Sequence, residues 1–256
     1  MKIFVCVKHV PDTAAKITVV DGTGFAETCK FIVNPYDEYA IEEAVQLTTQ
    51  AGGGEVVIVT VGRESAINTM RAALALGAHR GILIKTDAQF LDSALTSQAL
   101  QKAIEADGAA DLIFCGKQSI DNEGMQTPFR LARALDMPVV TDVVSLSIGD
   151  GKAVAEREIG GGAREVIEMS MPCIVGATRG LNEPRYPKLP DIMKAKKKEI
   201  KQIDMADLGL DLAAALTELV HLEAVPERGD ARILEGTGRE SVEQLVRILK
   251  EEEKVI

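Results

Sequence analysis

Three polar segments, each next to a short apolar run, hold most of the residues that could do chemistry: "VKHVPDTAAK" (residues 7–16), "VNPYDE" (33–38) and "GKQSIDNEGMQTPFR" (116–130). In the third, Thr127 before Pro128 reads as an N-cap with proline in the first helical turn, so that free backbone N–H groups face the preceding loop. A helix start of that kind can hold a phosphate. Lys117 and Arg130 are the only cations expected there, whereas Asp121 and Glu123, on either side of Asn122, add acid. That balance suits a ligand with one phosphate, or one whose other charges lie elsewhere, better than a triphosphate with metal. Gly124 would let the backbone approach a ligand closely or take a positive φ. The segment also reads as an ordinary strand-to-helix turn, and its spacing leaves both readings open.

Other chemistries find little support. Neither G-x-x-x-x-G-K-[ST] nor G-x-G-x-x-G after a strand occurs, so no P-loop and no dinucleotide fingerprint can be claimed. Gly22 with Gly24, and Gly160 to Gly162, read as hairpin turns. His9 could touch a phosphate or serve the fold, and His79 and His221 have no Ser, Cys or acid arranged beside them for nucleophilic catalysis. Cysteines 6, 29, 115 and 173 are scattered, three of them in or beside apolar runs, which argues against a metal site or a disulfide framework. The residues describe an α/β domain that accommodates a nucleotide and lacks visible catalytic machinery. That favours a binding or carrier role over a self-sufficient enzyme.

The elements that must position these segments are legible from periodicity. Strands are expected at "IFVCV" (3–7), "EVVIVTVG", "RGILIK" and "DLIFCG". They alternate with helices at "NPYDEYAIEEAVQLTTQAGG", "ESAINTMRAALALGA", 93–107 and 127–136. This βαβα series predicts a doubly wound, mostly parallel Rossmann-like sheet, with ligands beyond the carboxyl ends of its strands. From 139 the runs "VVTDVVSLSI", "KAVAEREI" and "AREVIEMSMP", separated by "GDG" and "GGG", predict an antiparallel flap. The expected organisation is a nucleotide-binding domain over 1–180, an extended arm over 181–200 and a C-terminal tail over 201–256. The tail contains a final amphipathic helix, "SVEQLVRILKEEE", and is too lean in apolar residues to fold alone.

The chain has 256 residues, is 46% hydrophobic and carries a formal net charge of −10, so a large core is possible while nucleic acid and anionic membranes are not attracted by any overall field. No apolar stretch approaches the length of a membrane span, and the start runs straight into a strand pattern, which predicts a cytoplasmic protein. Against that acidity, "LNEPRYPKLPDIMKAKKKEI" (181–200) is stiff and basic. Pro184, Pro187 and Pro190 keep it out of a central strand, and Asp191 can cap a short helix bearing Ile192, Met193 and Ile200. It reads either as a solvated linker or as a docking arm.

These segments resemble the beta subunit of electron transfer flavoprotein over nearly the whole chain, and the 181–200 arm is highly specific to that family. The resemblance implies an alpha-subunit partner that holds most of a redox-active FAD, and a structural AMP on this chain. It also implies electron donors among acyl-CoA dehydrogenases and related flavoenzymes, and a membrane quinone oxidoreductase as acceptor. Carried over by motif, the cofactor-binding residues are Cys6, Asn34, Pro35, Tyr36, Asp37, Val61, Asp121, Asn122, Glu123, Gly124, Met125, Gln126, Thr127, Pro128, Phe129, Arg130, Leu131 and Ala132. The docking residues are Leu189, Pro190, Ile192, Met193, Lys194, Lys196 and Lys197, with Leu189 as the anchor. Where the family often carries an aromatic that approaches the flavin ring, this chain has Thr13, which cannot stack. Some relatives are electron-bifurcating, with a second FAD in place of AMP and an NADH site; the arm resembles the non-bifurcating members.

Overall fold

The run "IFVCV" becomes strand β1 (Lys2–Cys6), and its alternate side chains divide between two cores: Ile3 and Val5 pack on one face of the sheet, Phe4 and Cys6 on the other. A strand covered on both faces must read as continuously apolar, and burying each such side chain contributes roughly 2 kcal/mol. The computed structural model describes residues 1–226 and 229–256. After β1 come four short strands, β2 (His9–Pro11), β3 (Val19–Val20), β4 (Gly24–Phe25) and β5 (Phe31–Val33). The alternating series follows: α1 (Pro35–Gln50), β6 (Glu55–Gly62), α2 (Ala66–Ala75), β7 (Arg80–Lys85), α3 (Ser93–Asp107), β8 (Leu112–Gly116) and α4 (Thr127–Leu135). Next are β9 (Val139–Gly149), β10 (Lys152–Gly160), β11 (Ala163–Ser170), β12 (Cys173–Ala177), α5 (Leu189–Ala195) and β13 (Ile200–Asp204).

Nine of these strands form one sheet in the order β11-β10-β9-β12-β8-β1-β6-β7-β13. From β9 to β13 neighbours run parallel, while β9, β10 and β11 pair antiparallel as the expected flap. Helices α1 and α2 cover one face and α3 and α4 the other, giving the doubly wound, Rossmann-like α/β fold.

Two strands of this sheet were not anticipated, nor was the small β2–β5 pair. β12 is a five-residue run, fully buried between β8 and β9, that follows Met171 and Pro172 directly, beyond the end of the expected flap. β13 is an edge strand with a half-exposed pattern, so its sequence "IKQID" is only weakly apolar. Two caps differ as well. Gln126, not Thr127, stands at the N-cap of α4, and Thr127 is already helical. Lys188 precedes α5, which puts Asp191 inside the first turn with Pro190, where a missing N–H costs nothing.

Contacts divide the chain into units Met1–Leu222 and Glu223–Ile256. Residues 201–204 therefore lie in the sheet of the first unit as β13, although the sequence reading placed them in the tail. In the second unit, α6 (Gly238–Arg247) starts with a capping box in which Thr237 accepts from the Glu240 N–H and the Glu240 carboxylate accepts from Thr237 N at 2.8 Å. The helix continues through a π turn to Glu252. Residues 227–228 of the expected tail lie outside the described residues. Among those described, no residue after Met205 is buried, and no helix is long and apolar enough to cross a membrane.

Candidate functional site

The sheet changes winding direction at β1, with β6 and β7 on one side and β8 on the other, so the loops that follow β1 and β8 bound a crevice. The first turn of α1 holds these loops together. Asn34 is the N-cap of α1, but its side chain does not cap: Nδ2 donates to Asp37 Oδ1 and to the Gln118 carbonyl, both at 2.9 Å, and Oδ1 accepts from Ile120 N at 3.2 Å. Asp37 accepts from Gly116 N at 3.0 Å through Oδ1 and from Lys8 N at 2.7 Å through Oδ2. One buried Asn and one buried Asp thus tie the ends of β1 and β8 to α1. Burial pushes the Asp37 carboxyl up to about 7, against the pull of its three N–H donors and the Lys8 charge.

The approach of β8 to α1 requires glycine at its last residue. A Cβ on Gly116 would come within 2.7 Å of the Tyr36 Cβ, so any larger residue must part the strand from the helix. Pro35 at the start of α1 and Tyr36 are both partly covered, with the Lys117 ammonium 5.5 Å from the Tyr36 ring centre.

Beyond Gln118 the loop turns outward, and Asp121, Asn122, Glu123, Gly124, Met125 and Gln126 are all exposed. Its shape is held by short contacts. Ser119 Oγ donates to Asn122 Oδ1 at 2.8 Å, Gly124 N donates to the same oxygen at 3.2 Å, and Glu123 N donates to the Ser119 carbonyl at 3.0 Å. Glu123 (φ 49°) and Met125 (φ 54°) are left-handed, a conformation costing non-glycine residues on the order of 1 kcal/mol each. Gly124 is not in that region, and a Cβ there would find nothing nearer than Asn122 Oδ1 at 3.6 Å. The conformational demand expected of Gly124 thus falls on its neighbours. In α4, Thr127 and Phe129 precede the first N–H that donates within the helix, Pro128 has no N–H, and Arg130 N donates to Gln126 O at 3.0 Å. Phe129 and Arg130 are exposed, while Leu131 and Ala132 are buried in the same apolar cluster as Cys6, with Val61 packed against it.

The cations are arranged differently from the sequence expectation. Lys117 turns to Asp142 at 3.1 Å, and Arg130 Nε donates to Gln126 Oε1 at 3.0 Å. Lys8, which the sequence reading passed over, reaches the loop and meets Asp121 at 2.6 Å. His9 stacks on Phe31 with ring centres 4.1 Å apart and bonds through Nδ1 to Thr69 Oγ1 at 2.7 Å; burial pulls it below its ordinary value, so it serves the fold as a neutral ring. Cys6 and Cys115 stand opposite each other on β1 and β8, and the Cys6 contact together with burial holds the Cys115 thiol far above its usual range, which keeps it unreactive.

The arm is a separate surface, and it is stapled down. Arg185 grips the buried Glu42 carboxylate through Nε at 2.7 Å and Nη2 at 2.8 Å. Burial alone would raise the Glu42 carboxyl, but the bonds from Arg185 and Gln46 outweigh it and the group lies below its ordinary value. Asn182 Nδ2 donates to the Tyr39 carbonyl and to Glu43, Arg71 donates to the Ala195 and Lys198 carbonyls, and Lys198 caps α2 at the Leu74 and Ala78 carbonyls. Held this way, the arm presents Leu189 at 72% exposure, with Pro190, Ile192, Met193, Lys194, Lys196 and Lys197 also exposed, while Ala195 is buried and Leu181 and Ile200 pack on the core.

A doubly wound sheet with a polar crevice at its switch point is a class of α/β fold that receives ligands beyond its strand ends. Residues 23–208 match the family model of the electron transfer flavoprotein domain. The chain is 40% identical to the electron transfer flavoprotein subunit beta of Bacillus subtilis, with all of both chains covered. It is 39% identical to the human protein of that name, over 98% of this chain and 97% of the other, and 39% identical to that of Syntrophomonas wolfei, over 78% of each. The chain belongs to the electron transfer flavoprotein family and groups with its beta subunits.

Proposed function

We propose that this chain is the beta half of a heterodimeric electron carrier that performs no turnover alone. In this reading an alpha subunit holds most of the FAD, this chain buries AMP, and electrons pass from acyl-CoA dehydrogenases or related flavoenzymes to a quinone oxidoreductase. Bound FAD supplies the redox chemistry. The observation that carries the reading is the strand-end crevice, in which a buried Asn34–Asp37 lock fixes the strand ends while the loop 121–126 stays open. Its parts suit a nucleoside monophosphate. The loop backbone and first turn of α4 offer N–H donors for one phosphate, and the half-buried Val61, packed on the cluster holding Cys6, Leu131 and Ala132, offers an apolar edge for a base. The exposed apolar residues past 210, among them Leu216, Val220 and Val225, support a partner subunit, since single chains rarely leave so many uncovered.

The deciding experiment is a cofactor count on the complex co-expressed with its alpha subunit. One FAD and one AMP per heterodimer is expected, with no bleaching by NADH. Two FAD with NADH reduction would assign the bifurcating function instead, and a beta chain that alone binds FAD tightly and is reduced would refute the carrier reading. A second measurement addresses the nucleotide. Because a Cβ at Gly124 would meet only an ordinary contact with Asn122, Gly124→Ile should leave the melting temperature within about 2 °C, in keeping with a surface change. If the loop backbone lies against AMP, the same variant should release most of it, read as nucleotide in an acid extract. Full AMP retention would remove the loop from the site.

The arm completes the proposal as a dehydrogenase-docking element in which Leu189 enters an apolar pocket and Lys194, Lys196 and Lys197 steer an acidic partner surface. Its support is the exposure of these side chains on a segment whose backbone is already fixed, because preorganisation lowers the cost of binding.

A further inference from the structure

The β8–α4 loop carries two left-handed non-glycine residues and an acidic side chain where a phosphate is to be received, while Lys117 turns away to Asp142 and Arg130 is engaged with Gln126 at the loop's end. Such a loop needs an outside support. Lys8 supplies one. Its N–H donates to the buried Asp37 carboxylate at 2.7 Å and its carbonyl accepts from Asn34 N at 3.1 Å, so its backbone belongs to the rigid lock. Its ammonium crosses to the loop, contacting both Asp121 oxygens at 2.8 and 2.6 Å and Ser119 Oγ at 3.4 Å. Ser119 then bonds Asn122, and Asn122 bonds Gly124, so the contact reaches the centre of the exposed segment.

We propose that Lys8 is a positioning residue of the nucleotide site: its bridge to Asp121 fastens the loop 119–125 to the end of β1 and cancels the carboxylate charge that would otherwise face an incoming phosphate. The inference rests on the proposed nucleoside-monophosphate site, and its ligand class is the same. Lys8 acts through the loop and makes no claim on the phosphate itself. An isolated exposed ion pair contributes little. Here one partner is anchored in the buried lock and the other leads into a bonded chain, so the effect falls on loop order and on affinity more than on global stability.

The test uses the co-expressed heterodimer with Lys8→Glu, Asp121→Lys and the double exchange. Two readouts are taken: hydrogen exchange of the 119–125 amides after the nucleotide has been stripped, and equilibrium dialysis with AMP. Each single variant should speed exchange in the loop and weaken AMP binding by about fivefold or more, as expected for a coupled pair near 1 kcal/mol. The double exchange should recover both. Unchanged loop exchange in Lys8→Glu overturns the latch. Recovered exchange without recovered binding also overturns it, because Lys8 would then be contacting phosphate directly. If the wild-type heterodimer does not bind AMP while loop exchange responds to the single variants and recovers in the double, the latch stands and the nucleotide reading alone falls.

Discussion

If the arm docks the proposed electron-donating dehydrogenase, Leu189→Ala should lower the affinity of the heterodimer for it by about thirtyfold, leaving the melting temperature and flavin content unchanged. Truncating a buried interface anchor commonly costs about 2 kcal/mol, which is that factor in affinity. The fold should be indifferent because the side chain is 72% exposed and contributes nothing to the core. The arm's geometry makes the effect specific. Since Arg185 and Asn182 already hold the segment on α1, removing the leucine deletes a contact without freeing the chain. The loss should appear in dissociation rate, whereas neutralising Lys194, Lys196 and Lys197 should slow association and flatten its salt dependence. Stopped-flow electron transfer from a cognate dehydrogenase at two ionic strengths separates the two. Unchanged transfer by Leu189→Ala would remove its role as anchor.

Asp37→Asn should destabilise the chain by about 2 kcal/mol near pH 5 and by less as the pH rises toward 8. The amide keeps the shape of the carboxyl but turns an N–H toward a donor, leaving one buried group unsatisfied. The pH dependence follows from the raised carboxyl. Its folded value of about 7 exceeds the roughly 3.9 of an unfolded chain, so between these limits the folded state holds a proton that the unfolded state has released. The stability due to Asp37 is therefore fully present below pH 4 and falls as pH climbs to 7. The variant lacks this slope, so the gap to wild type narrows over that window. Urea midpoints at pH 5 and pH 8 measure it; a gap that stays constant would mean the carboxylate is charged throughout, with its three donors prevailing over burial.

What could be read from the sequence depended on how local the determinant was. β1, β6, β7 and β8 and helices α1 to α4 announced themselves because each is covered on a whole face or two, and "DLIFCG" or "EVVIVTVG" has no other stable use. β12 escaped because five apolar residues directly after a flap strand carry no boundary signal; its place between β8 and β9 is a tertiary fact. At the site, Asn34, Asp37 and the 121–132 segment could be selected by position and resemblance, but not what they do. That Asn34 would bond across to Gln118 and Ile120 rather than cap its helix depends on residues more than 80 positions away. Lys8 was invisible for the same reason, since its partner Asp121 is 113 residues distant. The signal was present only as a lysine just beyond the carboxyl end of β1, the strand at which the winding reverses.

Helix α1 carries two fixtures on its first two turns, the Asp37 lock that faces the strand ends and the Glu42 grip that holds the arm. Five residues separate them, about 7.5 Å along the axis and about 140° around it. A docked donor and a bound nucleotide would thus be surveyed from one common datum, with no flexible joint in the chain of reference. Errors in the surrounding loops cannot accumulate between them, and the length and pitch of those two turns become a fixed dimension of the carrier.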